Sequence, residues 1–394
     1  MRIFMTMNRP LLDNFSTRSV FERIASSAER FHTYIHAVLP SLREPVEVRN
    51  VEIVSLLGEY NSPIHWFLYF YKLFKYSKNF LRKHNVDLVH HFYPCYKGFD
   101  SINVLALTGL LKEIPFVAGP AEIPHIFTQD DYIHIMRKIS PMVNIEYFAL
   151  QRLNDAFMVP LWRELFVSSF SECDAFIVAY EAARKLYSKL ISQKKIAVIP
   201  YGVDLNTFKF STPPKNYDIL FVGNLIERKG LDYLIRAMLK IKKEFPDAKL
   251  HIVGDGPQRI RLEALSERLR LQRNVIFHGR VNKDGLLHGY KNCRVFCHPS
   301  LSEGFCHVIL EAMASGRPVV STKTFGSCMV EDGKTGFLVP IRDVDSLAEK
   351  ILDLLNDYEL TVKMALNARE KVEKEYDLVK MIEKYYKLYE SIVY

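Results

Sequence analysis

Residues 294–322 constrain the fold more than any other part of the chain. Residues 294–298, with an apolar centre, predict a short buried strand, and 309–314 consist of strong helix formers. Gly316 fits the position just after a helix, and 318–322 predicts another strand. The predicted order of strand, turn, helix and strand is the repeating unit of a parallel α/β sheet.

Two glutamates, Glu303 and Glu311, lie in the turn and in the helix of this unit. The N–H groups of the first helical turn are expected to face the crevice above the sheet's carboxyl edge, where anions bind. A carboxylate there repels phosphate, so Glu303 fits a contact with uncharged hydroxyls. Glu311 fits a bidentate contact with a vicinal diol such as a ribose. The structural alternative is a capping Glu303 and a solvated Glu311.

The stretch 299–320, PSLSEGFCHVILEAMASGRPVV, resembles the EGF…LEAMA…G.PVV signature of the retaining nucleotide-sugar glycosyltransferases of GT-B architecture, family four. Its two glutamates have the E-x7-E spacing of that family. The resemblance implies an α/β fold of two doubly wound, Rossmann-like domains that face each other over a cleft. It places the acceptor in the first domain and the nucleotide-sugar donor in the second.

The loop after the predicted strand 217–223 resembles the GR…KG segment of that family. Gly223 allows the backbone to approach the donor diphosphate, and Lys229 matches the lysine by spacing. Asn224 stands at the arginine position, whereas Arg228 stands beside the lysine. Cations at a helix start oppose its dipole unless an anion binds there. The resemblance therefore implies that Lys229, with Arg228, neutralises the diphosphate.

Further loops of the second half match the family in order. A Gly-Asp-Gly turn that begins at Gly254 is a weak phosphate signal by itself. By resemblance, the loop with Arg280 and Val281 holds the nucleobase, and the amides near residues 304–306 stabilise the leaving diphosphate. The implied donor-binding residues are Gly223, Asn224, Gly254, Arg280, Val281, Gly304, Phe305, Cys306 and Glu311.

The first half alternates strand-like and helix-like segments, as a doubly wound parallel sheet requires. Strands are predicted at 1–7, 46–55, 87–92, 114–118, 174–179 and 196–200, and helices at 15–38, 102–111 and 182–190. Residues 87–91 resemble the DVVH strand end of the family's acceptor domain. His90 and His91 are predicted to face a ligand there; alternatively, one is packed in the core and the other exposed.

The loop after residue 118 departs from the family. Many relatives carry a histidine or aspartate close to the sugar-transfer site in this loop. This chain offers Glu122 and His125 instead. Both are candidate catalytic residues that position the acceptor, and the alternative is that both are plain loop residues.

The resemblance also implies the domain boundaries. Residues 1–205 are predicted to form the acceptor domain, 206–216 a linker with a Ser-Thr-Pro-Pro centre, and 217–370 the donor domain. The tail, 371–394, predicts one long helix that crosses back to the first domain.

Residues 61–84 are aromatic and basic at once, without an acidic residue. At helical pitch Lys72, Lys75, Arg82 and Lys83 fall on one stripe, and most of the remainder is apolar. One interpretation is a peripheral helix, 65–83, that binds an anionic membrane surface and presents the first domain to a lipid-linked substrate. The other is a mostly buried helix with one solvated basic face.

Composition excludes several classes of function. The net charge of +8 is shared by both halves, which does not favour nucleic acid as a partner. Six scattered cysteines and the lack of a long apolar run predict a cytoplasmic protein, with peripheral association at the inner face of the membrane as an option. Cys297 and His298 adjoin on a predicted strand and point to opposite faces, so no metal site is expected.

The sequence thus predicts a retaining hexosyltransferase that needs no metal or other cofactor. It is expected to move a sugar from a nucleotide-diphosphate donor to a glycan or lipid-linked acceptor. Glu303 would hold the sugar ring, and Glu311 the ribose. The alternatives are a catalytically silent GT-B subunit that binds nucleotide sugar or acts as a scaffold, and a GT-B epimerase or phosphorylase. The sequence does not identify the base, the sugar or the acceptor.

Overall fold

The computed structural model describes residues 1–7, 23–39, 49–57, 63–92, 103–121 and 159–394. The described residues fall into two compact units. Those up to 201, together with 380–394, form the first unit, and 202–379 form the second.

The described part of the first unit contains a parallel sheet of seven strands in the order β3-β2-β1-β4-β5-β6-β7. The strands are β1 (Arg2–Met7), β2 (Tyr34–Leu39), β3 (Val51–Ser55), β4 (Leu88–Phe92), β5 (Phe116–Ala121), β6 (Ala175–Val178) and β7 (Ile196–Val198). The helices are α1 (Pro63–Lys83), α2 (Val104–Leu107), α3 (Val159–Phe170) and α4 (Glu181–Tyr187). The strand order reverses between β1 and β4, which is the doubly wound pattern.

The helix predicted at 15–38 is wrong over its second part, because Tyr34–Leu39 is strand β2. Its partners are β1 and β3, and five of its six residues are buried. A strand buried on both faces lacks the alternation of polar and apolar residues that distinguishes a strand from a buried helix. Residues 8–22 of that prediction lie outside the described residues.

His90 and His91 are both buried at the carboxyl end of β4, so the expectation that one of them is exposed is wrong. The imidazole of His90 lies 2.7 Å from the Tyr389 hydroxyl and 2.8 Å from the Gly119 carbonyl oxygen. His91 Nδ1 lies 2.9 Å from the Thr6 hydroxyl. Burial lowers the pKa of each to about 3, so both are neutral at physiological pH.

The second unit contains a parallel sheet of six strands in the order β10-β9-β8-β11-β12-β13. The strands are β8 (Asp218–Val222), β9 (Lys249–Val253), β10 (Val275–Gly279), β11 (Val295–His298), β12 (Val319–Thr322) and β13 (Gly336–Val339). The helices are α5 (Leu231–Glu244), α6 (Arg259–Arg268), α7 (Lys283–Asn292), α8 (His307–Ala314), α9 (Val344–Asn356) and α10 (Tyr358–Glu375). Since the order reverses between β8 and β11, the loops that follow these two strands flank the ligand crevice of this fold.

Residues of the predicted linker 206–216 pack within the second unit. The fully buried guanidinium of Arg317 donates to the carbonyl oxygens of Cys293 and Ser315. It also donates to both the carbonyl oxygen and the hydroxyl of Ser211. Arg369 donates to the Phe208 carbonyl oxygen at 2.9 Å. These bonds fasten residues 208–211 to the sheet and helices that follow them.

The single helix predicted at 371–394 is wrong, because the chain breaks it at Tyr376 and Asp377. Helix α10 ends at Glu375, and helix α11 (Leu378–Val393) begins after Asp377, whose carboxylate accepts the Val379 N–H. Val203 bonds to both sides of this break, as an acceptor from the Leu378 N–H and a donor to the Tyr376 carbonyl. An aspartate that caps a new helix competes with continuation of the old one.

We predict that acid weakens β4 through its histidines. The unfolded chain takes up a proton on each histidine below its ordinary pKa near 6.5, whereas the folded chain does so only near 3. The free energy of unfolding is therefore unaffected by these histidines above pH 6.5. It falls as the pH is lowered, by roughly 2 kcal/mol per histidine at pH 5. Hydrogen exchange of β4 amides at pH 7 and pH 5, corrected for intrinsic rates, measures this loss. Equal pH dependence in wild type and His91→Gln would contradict it.

Candidate functional site

The candidate site lies at the carboxyl edge of the second sheet, where backbone bonds join the loops. Gly223, directly after β8, donates to the Val253 carbonyl oxygen at 3.0 Å, and Gly254, directly after β9, donates to that of Gly279 at 2.8 Å. Gly254 has φ +133°, and a Cβ there would lie 1.9 Å from the Gly223 carbonyl oxygen. Only glycine permits this approach. The loops are therefore close-packed and preorganised.

The buried carboxylate of Glu303 is the centre of the site. A 3-10 turn, Glu227–Lys229, brings two cations to it from the loop after β8. Arg228 Nη1 lies 2.9 Å from Glu303 Oε2, and Lys229 Nζ donates to Oε1. The side chains of Arg228, Lys229 and Glu303 are 16%, 14% and 6% exposed. The structure thus brings together three residues that the sequence analysis predicts to act jointly.

Two neutral groups from β11 and its loop complete the surroundings of Glu303. The Ser300 hydroxyl donates to Oε1 at 2.9 Å, and His298 Nε2 lies 3.3 Å from the same oxygen. Burial by itself would raise the pKa of Glu303, but the charges of Lys229 and Arg228 and the bond from His298 hold it well below its usual value. Glu303 is therefore an anion at every physiological pH. Together with its two cations it gives the cluster a net charge of +1.

The backbone of Glu303 is fixed by the turn after β12, Phe325–Ser327. The Gly326 N–H donates to the Glu303 carbonyl oxygen at 3.0 Å. A Cβ at Gly326 would lie 2.3 Å from the Glu303 Cβ, so this turn packs directly on the glutamate. The sequence analysis assigned no role to this segment.

Helix α8 presents the second predicted glutamate. Glu311 is half-buried, and its Oε2 accepts a hydrogen bond from the Tyr290 hydroxyl at 2.9 Å. Tyr290 lies on α7 and is fully buried, and burial followed by the Glu311 charge raises its pKa well above the ordinary value. The phenol therefore stays protonated and orients the carboxylate. Sequence reasoning missed Tyr290, because a tyrosine on an apolar helix face has no local signal of such a contact.

Gly304, Phe305 and Cys306 connect Glu303 to the first residue of α8, and all three are buried. Cys306 occupies the N-cap position, but its side chain makes no capping hydrogen bond. Burial raises the pKa of its thiol, so it carries no charge. The first-turn N–H groups of α8 are thus placed beside the cation cluster, in an arrangement suited to an anion.

Of the other predicted residues, three are exposed and two lie outside the described residues. Asn224, Arg280 and Val281 are exposed on their loops. Glu122 and His125 lie in 122–158, outside the described residues. Cys297 and His298 are both buried, and the described part of the chain contains no group of three or more ligating side chains suited to a metal ion.

Residues 203–371 match the model of the family Glycosyl transferases group 1. An uncharacterized glycosyltransferase of Haemophilus influenzae is 29% identical over 215 residues, which cover 54% of this chain and 60% of that protein. The phosphatidyl-myo-inositol mannosyltransferase of Mycolicibacterium smegmatis is 31% identical over 202 residues, 49% of this chain and 51% of that protein. The matched part therefore spans less than two thirds of each of these relatives.

Solved structures match the whole chain. Sucrose-phosphate synthase from Thermosynechococcus elongatus has a TM-score of 0.74 at 19% identity and covers 99% of both chains. Anabaena HepE in complex with UDP has a TM-score of 0.71 at 19% identity and covers 99% of this chain and 100% of that chain. The fold is thus that of an α/β protein of GT-B architecture, as the sequence predicts. The family model matches residues 203–371, which are less than half of the chain.

We predict that Lys229 and Glu303 are energetically coupled. Lys229→Met should raise the pKa of Glu303 and lower the stability of the second unit by about 2 kcal/mol, because the carboxylate stays buried and loses a charged donor. Lys229→Met combined with Glu303→Gln should cost less than the sum of the single changes. Denaturant unfolding of the four proteins measures this coupling.

The matched control is Lys240→Met, which removes an ion pair with Asp345 whose side chains are 52% and 76% exposed. We expect a change within about 0.5 kcal/mol for this control. Strictly additive costs at Lys229 and Glu303 would show that the contact carries no coupling.

Proposed function

We propose that the chain is a glycosyltransferase that binds a nucleotide-diphosphate sugar in its second domain. The observation that carries this proposal is the cluster of Arg228, Lys229 and Glu303 beside the start of α8. The cluster offers two cations and a row of amides to an anion, and a carboxylate to hydroxyl groups. A sugar diphosphate has both kinds of group next to each other. The match of residues 203–371 to the model of group 1 glycosyl transferases supports the same activity.

The two cations and the amides of residues 304–306 would stabilise the leaving diphosphate as its charge develops. In the structure both cations contact Glu303, so an incoming diphosphate competes with the carboxylate for them. The net positive charge of the cluster favours the diphosphate. As the cations turn toward the phosphates, Glu303 gains capacity to accept hydrogen bonds from the sugar.

Glu311 would accept the two hydroxyls of the ribose. Tyr290 donates to its Oε2 and holds the carboxylate in one orientation. A carboxylate is acceptor-only and suits two adjacent hydroxyl donors. HepE, which shares the fold, was solved with UDP-glucose, so a nucleotide sugar of this kind is a reasonable first probe.

We further propose that transfer retains the configuration at the anomeric carbon and uses no metal. The family resemblance implies departure and attack on the same face, with the leaving phosphate oxygen taking the acceptor's proton. The cations of the site, Lys229 and Arg228, supply the charge stabilisation for which other transferases use a metal. Glu122 and His125 remain the proposed acceptor-positioning residues of the first domain.

We predict that one nucleotide sugar raises the melting temperature of the protein. UDP-, GDP-, ADP- and dTDP-glucose are screened with and without EDTA, since a ligand that binds only the native state stabilises it by mass action. The shift should survive EDTA and disappear in Glu311→Ala. Tyr290→Phe should keep the shift but weaken binding about tenfold, because Glu311 loses one charged hydrogen bond.

Failure of all four compounds to stabilise the wild type would favour the silent-subunit alternative. A shift that vanishes with EDTA would reject metal independence and leave the transferase proposal intact.

The acceptor is proposed to be a glycan or lipid-linked molecule that the first domain meets at a membrane surface. On α1, Lys72, Lys75, Arg82 and Lys83 are exposed, whereas Tyr69 and Leu73 are buried. Among the residues that the structure describes, no helix is long and apolar enough to cross a membrane.

The exposed face of α1 also carries two apolar residues, Tyr71 at 62% and Leu68 at 42% exposure. Basic residues interleaved with exposed apolar ones suit an anionic lipid interface. One relative acts on phosphatidyl-myo-inositol by its name, which fits a lipid acceptor. We place this association at the inner, cytoplasmic face of the membrane.

We predict that the wild type sediments with vesicles of phosphatidylglycerol and phosphatidylcholine at low salt. Changing Lys72, Lys75 and Arg82 to glutamate should abolish sedimentation, because each basic residue near an anionic surface contributes about 1 kcal/mol. The control changes three exposed lysines of α10 and α11, Lys363, Lys374 and Lys384, to glutamate. Equal loss in both triple variants would show that net charge alone is responsible.

A further inference from the structure

His298 is a buried imidazole at the carboxyl end of β11, and the proposed roles above do not use it. It is 1% exposed. Its ring lies nearly parallel to those of Phe221 and Phe296, at centroid distances of 5.8 and 6.3 Å and interplanar angles of 3° and 10°. The two phenylalanines and the strand fix the plane of the imidazole. With the ring held in this plane, its Nε2 faces the carboxylate of Glu303.

The surroundings permit one protonation state. Burial lowers the pKa of His298, and the charges of Lys229 and Arg228 lower it further, against the opposing effect of Glu303. Since a carboxylate only accepts, Nε2 must carry the proton that faces Glu303. Nδ1 is buried without a hydrogen-bond partner in the described part of the chain, so a second proton there would be unsolvated. The ring is a neutral donor.

We propose that His298 is a positioning residue that keeps Glu303 aligned with the donor sugar after the diphosphate has drawn Lys229 and Arg228 away. This inference rests on the proposed function. Of the four side chains that hold Glu303 in the structure, two are cations that phosphate attracts. The other two, His298 and Ser300, are neutral, so phosphate does not compete for them by charge. The neutral pair preserves the carboxylate's orientation when the sugar needs it.

The same idea explains why a histidine suits this position. A cation at 298 would follow the phosphate as Lys229 does, and an apolar side chain would leave Oε1 with the Ser300 hydroxyl alone once the cations turn. A neutral imidazole that packs on Phe221 and Phe296 does neither. His298 therefore belongs to recognition of the sugar, whereas Lys229 and Arg228 belong to recognition of the diphosphate.

The state of the ring can be measured without any ligand. In long-range 1H–15N spectra of ¹⁵N-histidine protein, the signals that His298→Gln removes belong to His298. We expect the neutral Nε2–H tautomer and no titration between pH 8 and pH 5.5. An Nδ1–H tautomer, or titration near pH 6.5, would overturn the proposal, because the ring would then not be a fixed donor to Glu303.

Its role is tested by comparing two ligands. Calorimetric titration with UDP-, GDP-, ADP- and dTDP-glucose, and with the corresponding diphosphates, gives affinities for the donor with and without its sugar. For His298→Leu we expect binding of the nucleotide sugar to weaken about tenfold or more, and binding of the diphosphate to change less than about twofold. His298→Gln, whose amide N–H can replace Nε2–H, should restore the sugar-dependent part.

The control is His288→Leu, at an exposed histidine of α7, which should leave both affinities unchanged. Melting temperatures of all variants report whether they are folded. If a folded His298→Leu bound the nucleotide sugar and the diphosphate equally more weakly, the role of His298 would be merely structural. If neither affinity fell, His298 would have no role in binding. Either result overturns the proposal. A wild type that binds no nucleotide at all overturns the proposed function itself, which is a distinct result.

Discussion

A buried negative charge governs the architecture of the candidate site. Glu303 is almost completely removed from water, and an ionised carboxylate in such a place is stable only with cations and hydrogen-bond donors around it. The loop after β8 supplies the cations, and β11 with its loop supplies the neutral donors. Gly326 packs directly on Glu303 and donates its N–H to the Glu303 carbonyl oxygen.

The second domain could be predicted from sequence in considerable detail, because its signals are local. Short apolar strands, glycine turns and Gly316 after helix α8 each fall within a few residues, and the structure confirms them. The proximity of Lys229 to Glu303 also follows from the sequence, since both positions come after neighbouring parallel strands. Contacts that depend on packing between distant elements could not be predicted. The bond from Tyr290 to Glu311 belongs to this group, because the two residues lie 21 positions apart on different helices.

The first domain was harder to predict for a different reason. Its strands are buried on both faces, so their apolar runs have no period that separates strand from helix, as β2 shows. The sequence around the two histidines of β4 does not indicate that both have buried hydrogen-bond partners. One of these partners, Tyr389, lies 299 residues from His90. At the break between α10 and α11, Asp377 forms a backbone bridge with Val203. The two residues lie far apart in the sequence, so this pairing could not be predicted either.

The buried hydrogen bonds from Arg317 to Ser211 limit where this chain can be divided into fragments. A fragment that begins after the polar Ser-Thr-Pro-Pro stretch would lack both acceptors that Ser211 provides. Arg317 would then lose part of the surface that buries it as well as these hydrogen bonds, which lowers the stability of the fragment. Composition suggests cutting near residue 216, whereas the contacts of this side chain require that an autonomous second unit keep Ser211. The contacts of Arg317 thus show that the second folding unit begins before the polar Ser-Thr-Pro-Pro stretch, although the composition of that stretch is typical of a linker.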